Sequence, residues 1–165
     1  MLTASDRKRP RNDVDEDEAI FLKRTRTIVP DFTCEVYHNE QVSPLRLSTL
    51  LEHYTSIVLF FYERDLLNYT AFLNSKALPV MVSTDTVMVH RGFCRTHGGL
   101  AQPPPFPLVG DQTRLISRHF DVLDLATGNA RRSVFIINQQ RNIIATFLPT
   151  NTGYNMPLIT SSIKS

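Results

Sequence analysis

The segment HRGFCRTH contains three side chains that could bind a metal ion. His90, Cys94 and His97 are spaced i, i+4 and i+7, so a helix would carry them on one face. Imidazole and thiolate are the ligands that zinc prefers, but zinc sites usually have four ligands or three and a water. No fourth ligand is evident nearby, and short windows match such patterns by chance. We therefore predict no metal and no other cofactor.

The chain has two cysteines, Cys34 and Cys94, either of which could provide a nucleophilic thiol. Cys34 lies in DFTCEVY, a predicted strand, where cysteine usually packs as a small apolar side chain. Cys94 has basic neighbours at Arg91, Arg95 and His97, which would lower the pKa of its thiol. Because no residue is identified as its partner base or resolving thiol, a passive thiol is the main interpretation. A redox-active Cys94 is the alternative.

The stretch FFYERDLLNYT, residues 60–70, follows the apolar run TSIVLFFY. A strand that ends and leads into a helix is a common position for a catalytic group. This stretch offers Glu63, Asp65, Asn68 and Thr70, but no cysteine, histidine or lysine. Three interpretations follow: an active site with unusual chemistry, a site that has lost its chemistry, or a turn.

Residues 1–27 differ in composition from the rest, and their blocks of charge predict a flexible tail. The basic clusters RKRPR and KRTR are separated by eleven residues, which suits a bipartite nuclear-import signal. A solvated run of charges is the alternative. The acidic insert DVDEDE would screen the basic clusters, which argues against simple phosphate binding by the tail. The import signal would consist of Lys8, Arg9, Arg11, Lys23, Arg24 and Arg26.

Residues 28–150 are predicted to form one α/β domain, followed by a C-terminal tail over 151–165 with little helical pattern. The runs TSIVLFFY and ALPVMVSTD indicate strands buried on both faces. LSTLLEHY predicts a short helix with a capping box of Thr49 and Glu52. FPLVGDQTRLISRHF predicts a strand and then a helix capped by Asp111. RRSVFIINQQRNIIATF predicts a hairpin.

The bulk composition excludes some classes of protein. No apolar stretch approaches the ~20 residues of a membrane-spanning helix, so no membrane partner is expected. Two cysteines do not make a disulfide framework, and a reducing compartment is the default. The net charge of +2 is too small to predict a nucleic-acid partner by itself.

Taken in order, these segments resemble a peroxiredoxin of the typical two-cysteine type, over about residues 28–148. The resemblance rests on VPDFT, VSPLRLSTLLEHYTSIVLFFY, VMVSTDT, RTHGGL with FPLVGDQTRLISRHFDVL, and GNARRSVFIINQQRNII. Each motif is weak alone, but five in the family's order are specific. The resemblance implies a thioredoxin-like fold: a central mixed sheet flanked by helices.

The chain departs from the family in the catalytic loop. In a peroxiredoxin, Phe-Phe-Tyr is followed by Pro-x-x-x-Thr/Ser-x-x-Cys, and the thiolate of that cysteine attacks peroxide. An ungapped alignment puts Glu63, Leu67 and Thr70 at the proline, threonine and cysteine positions. An alternative alignment deletes the loop, because the stretch before VMVSTD is shorter than the family's. Neither alignment leaves a peroxidatic cysteine, and no resolving cysteine follows Cys94. Arg132 matches the family's active-site arginine.

The resemblance therefore predicts a pseudoenzyme with a vacated site near Glu63, Leu67, Thr70 and Arg132. We expect a scaffold that binds protein partners in a nuclear transcription, chromatin or RNA-processing complex and that meets an import receptor through its tail. A homodimer is expected through the hairpin, as in the family. The alternatives are a divergent thiol peroxidase or redox sensor using Cys94, and a nucleic-acid binder using the basic tail. The predicted dimer edge consists of Arg132, Val134, Phe135 and Ile136.

Overall fold

A computed structural model describes residues 21–22, 27–61, 69–95, 104–149 and 153–163. The described residues form nine strands and five helices. The strands are β1 (Phe21–Leu22), β2 (Thr27–Ile28), β3 (Thr33–His38), β4 (Gln41–Arg46), β5 (Ser56–Phe61), β6 (Ala77–Ser83), β7 (Leu108–Gly110), β8 (Ser133–Asn138) and β9 (Asn142–Phe147). The helices are α1 (Leu47–His53), α2 (Tyr69–Asn74), α3 (Val87–Arg95), α4 (Leu115–His119) and α5 (Met156–Ser162).

The strands form one mixed sheet in the order β1-β9-β8-β5-β6-β7-β3-β4, and β2 also pairs with β9. β5 lies in the middle, parallel to β6 and antiparallel to β8. All residues of β5 and β6 are buried, because apolar β-branched and aromatic side chains cover both faces of these strands. The prediction of two strands buried on both faces is confirmed.

Helices pack against both faces of the sheet. On one face, Phe61 of β5 lies in a core with Leu47 of α1 and Ile116 of α4. On the other face, Phe60 lies in a second core with Phe72 of α2 and Ile159 of α5. This arrangement confirms the predicted α/β sheet flanked by helices. None of the helices in the described ranges has the length and hydrophobicity needed to cross a membrane.

The start of α1 is fixed by a distant carboxylate. Asp31 accepts hydrogen bonds from the Ser48 backbone N–H and hydroxyl, each at 2.9 Å, and from Arg46 Nε at 2.7 Å. Burial acts to raise the pKa of Asp31, but these hydrogen bonds and the Arg46 charge outweigh it and lower the pKa below 3.8. The predicted capping box of Thr49 and Glu52 is wrong, because α1 begins at Leu47, before Thr49, and Asp31 bonds the N–H of its first turn.

The start of α4 is fixed as predicted. The buried Asp111 carboxylate accepts from the Ile116 and Ser117 N–H groups at 3.1 and 2.8 Å and from the Ser117 hydroxyl at 2.6 Å. Gly110, the last residue of β7, lies directly before Asp111 and close to the start of α3. A Cβ on Gly110 would lie 2.7 Å from the backbone nitrogen of Val87. Only glycine allows this close approach.

The predicted hairpin is confirmed as β8 and β9, but its predicted dimer edge is wrong. Val134, Phe135 and Ile136 are buried, and β8 pairs with β5 on one side and with β9 on the other. A strand that is hydrogen-bonded on both sides has no free edge to offer. The outer strand of the hairpin is β9, and β1 and β2 from the N-terminal segment pair with it. Arg132 lies just before β8, outside the paired register.

The two predicted tails contain ordered structure. The prediction of a C-terminal tail is wrong for residues 153–163, because α5 lies there and Ile159 and Ile163 pack into the core. Asn155 caps this helix by accepting from the Leu158 N–H at 3.1 Å. At the other end, β1 and Thr27 of β2 belong to the predicted N-terminal tail. The six residues of the predicted import signal lie outside the described residues.

Candidate functional site

The predicted vacated site lies at the carboxyl end of β5. Phe61, the last residue of β5, pairs with Ser133, so Arg132 lies beside the end of the central strand. Thr70 lies in α2 and is exposed. Glu63 and Leu67 lie outside the described residues. The structure therefore describes two of the four predicted site residues.

Arg132 contacts an aromatic ring. Its side chain is exposed, and its guanidinium carbon lies 5.4 Å from the centroid of the Tyr154 ring. A cation–π contact of this kind contributes about 0.5–1 kcal/mol at an exposed position. Glu63 and Asp65, the acidic residues that follow β5 in the sequence, lie outside the described residues. In the described part of the site, the charge of Arg132 faces the aromatic ring of the C-terminal segment.

Aromatic side chains form the floor of this site. Phe60 packs edge-on against Phe72 of α2, with ring centroids 5.8 Å apart, and against Tyr154, 6.1 Å away. These contacts join the central strand, the helix that bears Thr70 and the segment before α5. Tyr154 was not predicted from the sequence. The available signal was its position before Asn155, which precedes apolar residues at the helical spacing of Met156, Ile159 and Ile163.

Cys94 lies on α3, away from solvent. Its side chain is 8% exposed and belongs to the same apolar core as Tyr37, Phe106 and Leu108. Arg91 and Arg95, the basic neighbours noted in the sequence, lie on the same helix but are more exposed than Cys94. A buried thiol reacts slowly because peroxide must reach the sulfur before any reaction occurs.

Cys34 lies on β3 and is half-buried. Its Sγ is 3.8 Å from the Leu45 carbonyl oxygen, and it lines a cavity of about 330 Å³ together with Asp111 and Ile116. Burial, and secondarily the charge of Asp111, raises the pKa of Cys34 from 9.0 to about 12. This thiol is therefore neutral at physiological pH and is a weak nucleophile.

Alkylation should reveal the raised pKa of Cys34. At neutral pH we expect iodoacetamide to modify Cys34 roughly a thousandfold more slowly than an unperturbed cysteine, because the thiolate fraction falls tenfold for each pKa unit. The rate should rise about tenfold per pH unit up to pH 10 without levelling off near 9.0. Peptide mass spectrometry gives the rate at each cysteine. The urea-unfolded protein is the control, and a plateau near pH 9 in the folded protein would contradict this account.

His90 is engaged inside the fold. Its Nε2 lies 3.1 Å from the Val109 carbonyl oxygen and 3.3 Å from the Ser83 hydroxyl oxygen. The Ser83 hydroxyl donates its own hydrogen to the Asp85 carboxylate. A carbonyl oxygen only accepts, so Nε2 carries the hydrogen and cannot take a proton from Ser83. This Ser–His–Asp group is not arranged as a hydrolytic triad. The third predicted metal ligand, His97, lies outside the described residues.

No metal cluster is found in the described ranges. Within them, there is no group of three or more histidine, cysteine, aspartate or glutamate side chains that could hold a metal ion.

Comparison with known proteins identifies the family. The model of the AhpC/TSA family matches residues 25–146. A stretch of 57 residues is 44% identical to alkyl hydroperoxide reductase C of Staphylococcus aureus (strain NCTC 8325 / PS 47). This stretch covers 34% of the present chain and only 30% of the bacterial protein.

Solved structures share the fold at low sequence identity. AhpC of Enterococcus faecalis has a TM-score of 0.74 and 20% identity, covering 87% of this chain and 92% of that one. The mitochondrial 2-Cys peroxiredoxin of Plasmodium falciparum has a TM-score of 0.70 and 23% identity, covering 83% and 90%. Plasmodium yoelii Prx1a, modified at its N-terminus and described as an artifactual octamer, has a TM-score of 0.68 and 19% identity, covering 82% and 87%. The family match and the common thioredoxin-like architecture together show that this chain belongs to the AhpC/TSA family of peroxiredoxins.

Proposed function

We propose that this chain is a catalytically inactive peroxiredoxin that acts as a protein interaction module in a nuclear complex. The observation that carries the proposal is the residue at the attacking position: in the ungapped alignment it is Thr70, whose hydroxyl cannot replace a thiolate. The two cysteines of the chain lie elsewhere, Cys34 on β3 and Cys94 on α3. One has a raised pKa and the other is buried.

The environment of Arg132 supports this proposal. In a peroxiredoxin this arginine lowers the pKa of the attacking cysteine, and here its guanidinium lies over the ring of Tyr154. The aromatic floor of Phe60, Phe72 and Tyr154 fills the space beneath it with apolar packing.

The proposed module forms a homodimer and joins further protein partners in a transcription, chromatin or RNA-processing complex. The resemblance to the typical two-cysteine peroxiredoxins, in which dimers form through this hairpin region, supports the homodimer. Because β8 is an interior strand, Val134, Phe135 and Ile136 do not form the edge of the proposed dimer.

Nuclear import is tested by charge removal in the full-length chain, fused to a reporter too large to diffuse through nuclear pores. The test variant replaces the basic residues of both clusters with alanine. It should have a lower nuclear-to-cytoplasmic ratio than the wild type, because the fusion is then retained in the cytoplasm. The replaced residues are Lys8, Arg9, Arg11, Lys23, Arg24 and Arg26. Quantitative fluorescence imaging measures the ratio. The control is Arg95→Ala with Arg118→Ala, which removes exposed charge from the folded domain and should leave the ratio unchanged. Unchanged nuclear accumulation in the cluster variant would contradict nuclear targeting by this signal.

A further inference from the structure

The cavity of about 330 Å³ beside Cys34 lies at the carboxyl end of β7, and neither Thr70 nor Arg132 of the vacated site lines it. The helices that border it leave the sheet on opposite faces. α3, which follows β6, packs on the face that carries Phe60, whereas α4, which follows β7, packs on the face that carries Phe61. Since β6 and β7 are parallel neighbours, the starts of these helices diverge and leave a crevice. Open α/β sheets bind ligands in crevices of this kind, and we call this one the switch-point cavity.

A buried carboxylate lines the switch-point cavity. Asp111 is 2% exposed, and its oxygens accept the three hydrogen bonds that fix the start of α4. Oδ2 accepts two of these bonds and Oδ1 accepts one, so Oδ1 keeps an acceptor site. Among the described residues, no basic side chain lies within ion-pair distance of Asp111. Because buried charges in proteins are usually paired, this cavity favours a cation.

Further oxygen atoms surround the cavity. The hydroxyl of Thr86 accepts the Val89 N–H at 3.3 Å and keeps a second acceptor site. The side chain of Glu35, which is exposed, adds a second carboxylate to the lining. Thr33 and Thr113 also line the cavity and are exposed. The lining therefore offers several acceptors to a group that carries several donors.

The lining discriminates among organic cations. None of the described lining residues is aromatic, so the cavity lacks the ring faces that bind quaternary ammonium groups. Asp111 does not have both oxygens free, as the paired donors of a guanidinium require. A primary ammonium is a compact charge with three donors, which suits the single site on Asp111 and the hydroxyl oxygens. The apolar side chains of Val87, Leu115 and Ile116 give its carbon chain a surface to pack on.

We propose that the switch-point cavity binds a primary alkylammonium group. The group belongs to a small amine or to a lysine side chain of another protein, since both present a positive charge with three donors at the end of an apolar chain. The ammonium pairs with the buried charge of Asp111, and the carbon chain points toward the mouth of the cavity. Binding here does not require the proposed scaffold role.

Nuclear magnetic resonance of the isotope-labelled full-length protein tests the site, with butylammonium as the probe. The backbone amide signals of Gly110, Gln112 and Thr113 should shift until they saturate, and the titration gives the dissociation constant. Butanol, a neutral molecule of similar shape, should bind at least about tenfold more weakly, because hydrogen bonds to charged groups contribute more than neutral ones.

A capped lysine peptide, compared with its norleucine counterpart, distinguishes the two sources. Both outcomes support the proposal. If the lysine peptide binds as tightly as butylammonium, the source is a lysine of another protein. If butylammonium binds and the lysine peptide does not, the source is a small amine.

Three full-length variants test the role of the lining. Asp111→Asn should weaken butylammonium binding at least about tenfold, because it removes the buried charge. The matched control is Asp31→Asn: Asp31 also accepts from a serine N–H and hydroxyl at a helix start but does not line the cavity, so the dissociation constant should not change. Thr86→Val keeps the shape of the side chain and removes an acceptor, so it should weaken binding about threefold or more.

Four results would overturn the proposal. The first is that butylammonium causes no saturable shift of the three amide signals at millimolar concentration. The second is that butanol binds as tightly as butylammonium, since charge would then play no part. The third is an unchanged dissociation constant in Asp111→Asn, or in Thr86→Val if circular dichroism shows that Asp111→Asn does not fold. The fourth is that Asp31→Asn weakens binding as much as Asp111→Asn.

Discussion

Replacing Phe60 with alanine is expected to lower the free energy of unfolding by about 3–5 kcal/mol. Phe60 is fully buried on β5 and contacts both Phe72 and Tyr154 edge-on. The substitution removes a large apolar side chain and leaves a cavity beneath Tyr154 and α2, which the rigid central strand cannot close. Urea denaturation followed by far-ultraviolet circular dichroism measures the change, since the chain has no tryptophan.

The matched control is Leu125→Ala. Leu125 is also a large apolar residue, but it is 86% exposed. Its replacement should change the free energy of unfolding by no more than about 0.5 kcal/mol. If Phe60→Ala costs as little as Leu125→Ala, the aromatic floor does not hold the end of β5, α2 and the C-terminal segment together.

The two central strands could be predicted from sequence because their signals are local. A continuous apolar run such as residues 56–61 can be buried only in the middle of a sheet, and the structure places it there. The cap at Asp111 was also predictable, since the carboxylate lies close in sequence to the N–H groups that it binds.

Contacts between distant segments could not be predicted in this way. The carboxylate at the start of α1 comes from Asp31, on the far side of the β3–β4 hairpin, whereas the local pattern indicated Thr49 and Glu52. The edge of β9 is covered by residues near the other end of the chain, and no pattern within β8 or β9 shows this. The prediction that β8 forms an edge of the sheet was wrong for the same reason.

The candidate site was predicted in part. The family motif identified Thr70 and Arg132, but not the ring that Arg132 faces. Tyr154 belongs to a segment whose single helix has only seven residues, too short for a strong periodic signal. Its role depends on α5 packing against the core through Ile159, which is a tertiary contact.

The full-length protein is expected to consume hydrogen peroxide no faster than an unactivated thiol. With a pKa of about 12, Cys34 is thiolate in only about one molecule in 10⁵ at pH 7. Cys94 is buried in an apolar core, which limits the access of peroxide to its sulfur. Cys94→Ala should therefore leave the rate unchanged, and so should Cys34→Ala.

The most direct test of the inactive-peroxiredoxin proposal is steady-state peroxide consumption by the purified full-length protein, with a thiol reductant present to regenerate any oxidised cysteine. The wild type, Cys94→Ala and Cys34→Ala are compared with a reaction that contains no protein. We predict that all four reactions lose peroxide at the same rate within error. Turnover by the wild type that Cys94→Ala or Cys34→Ala abolishes would contradict the proposal and make this chain a working thiol peroxidase.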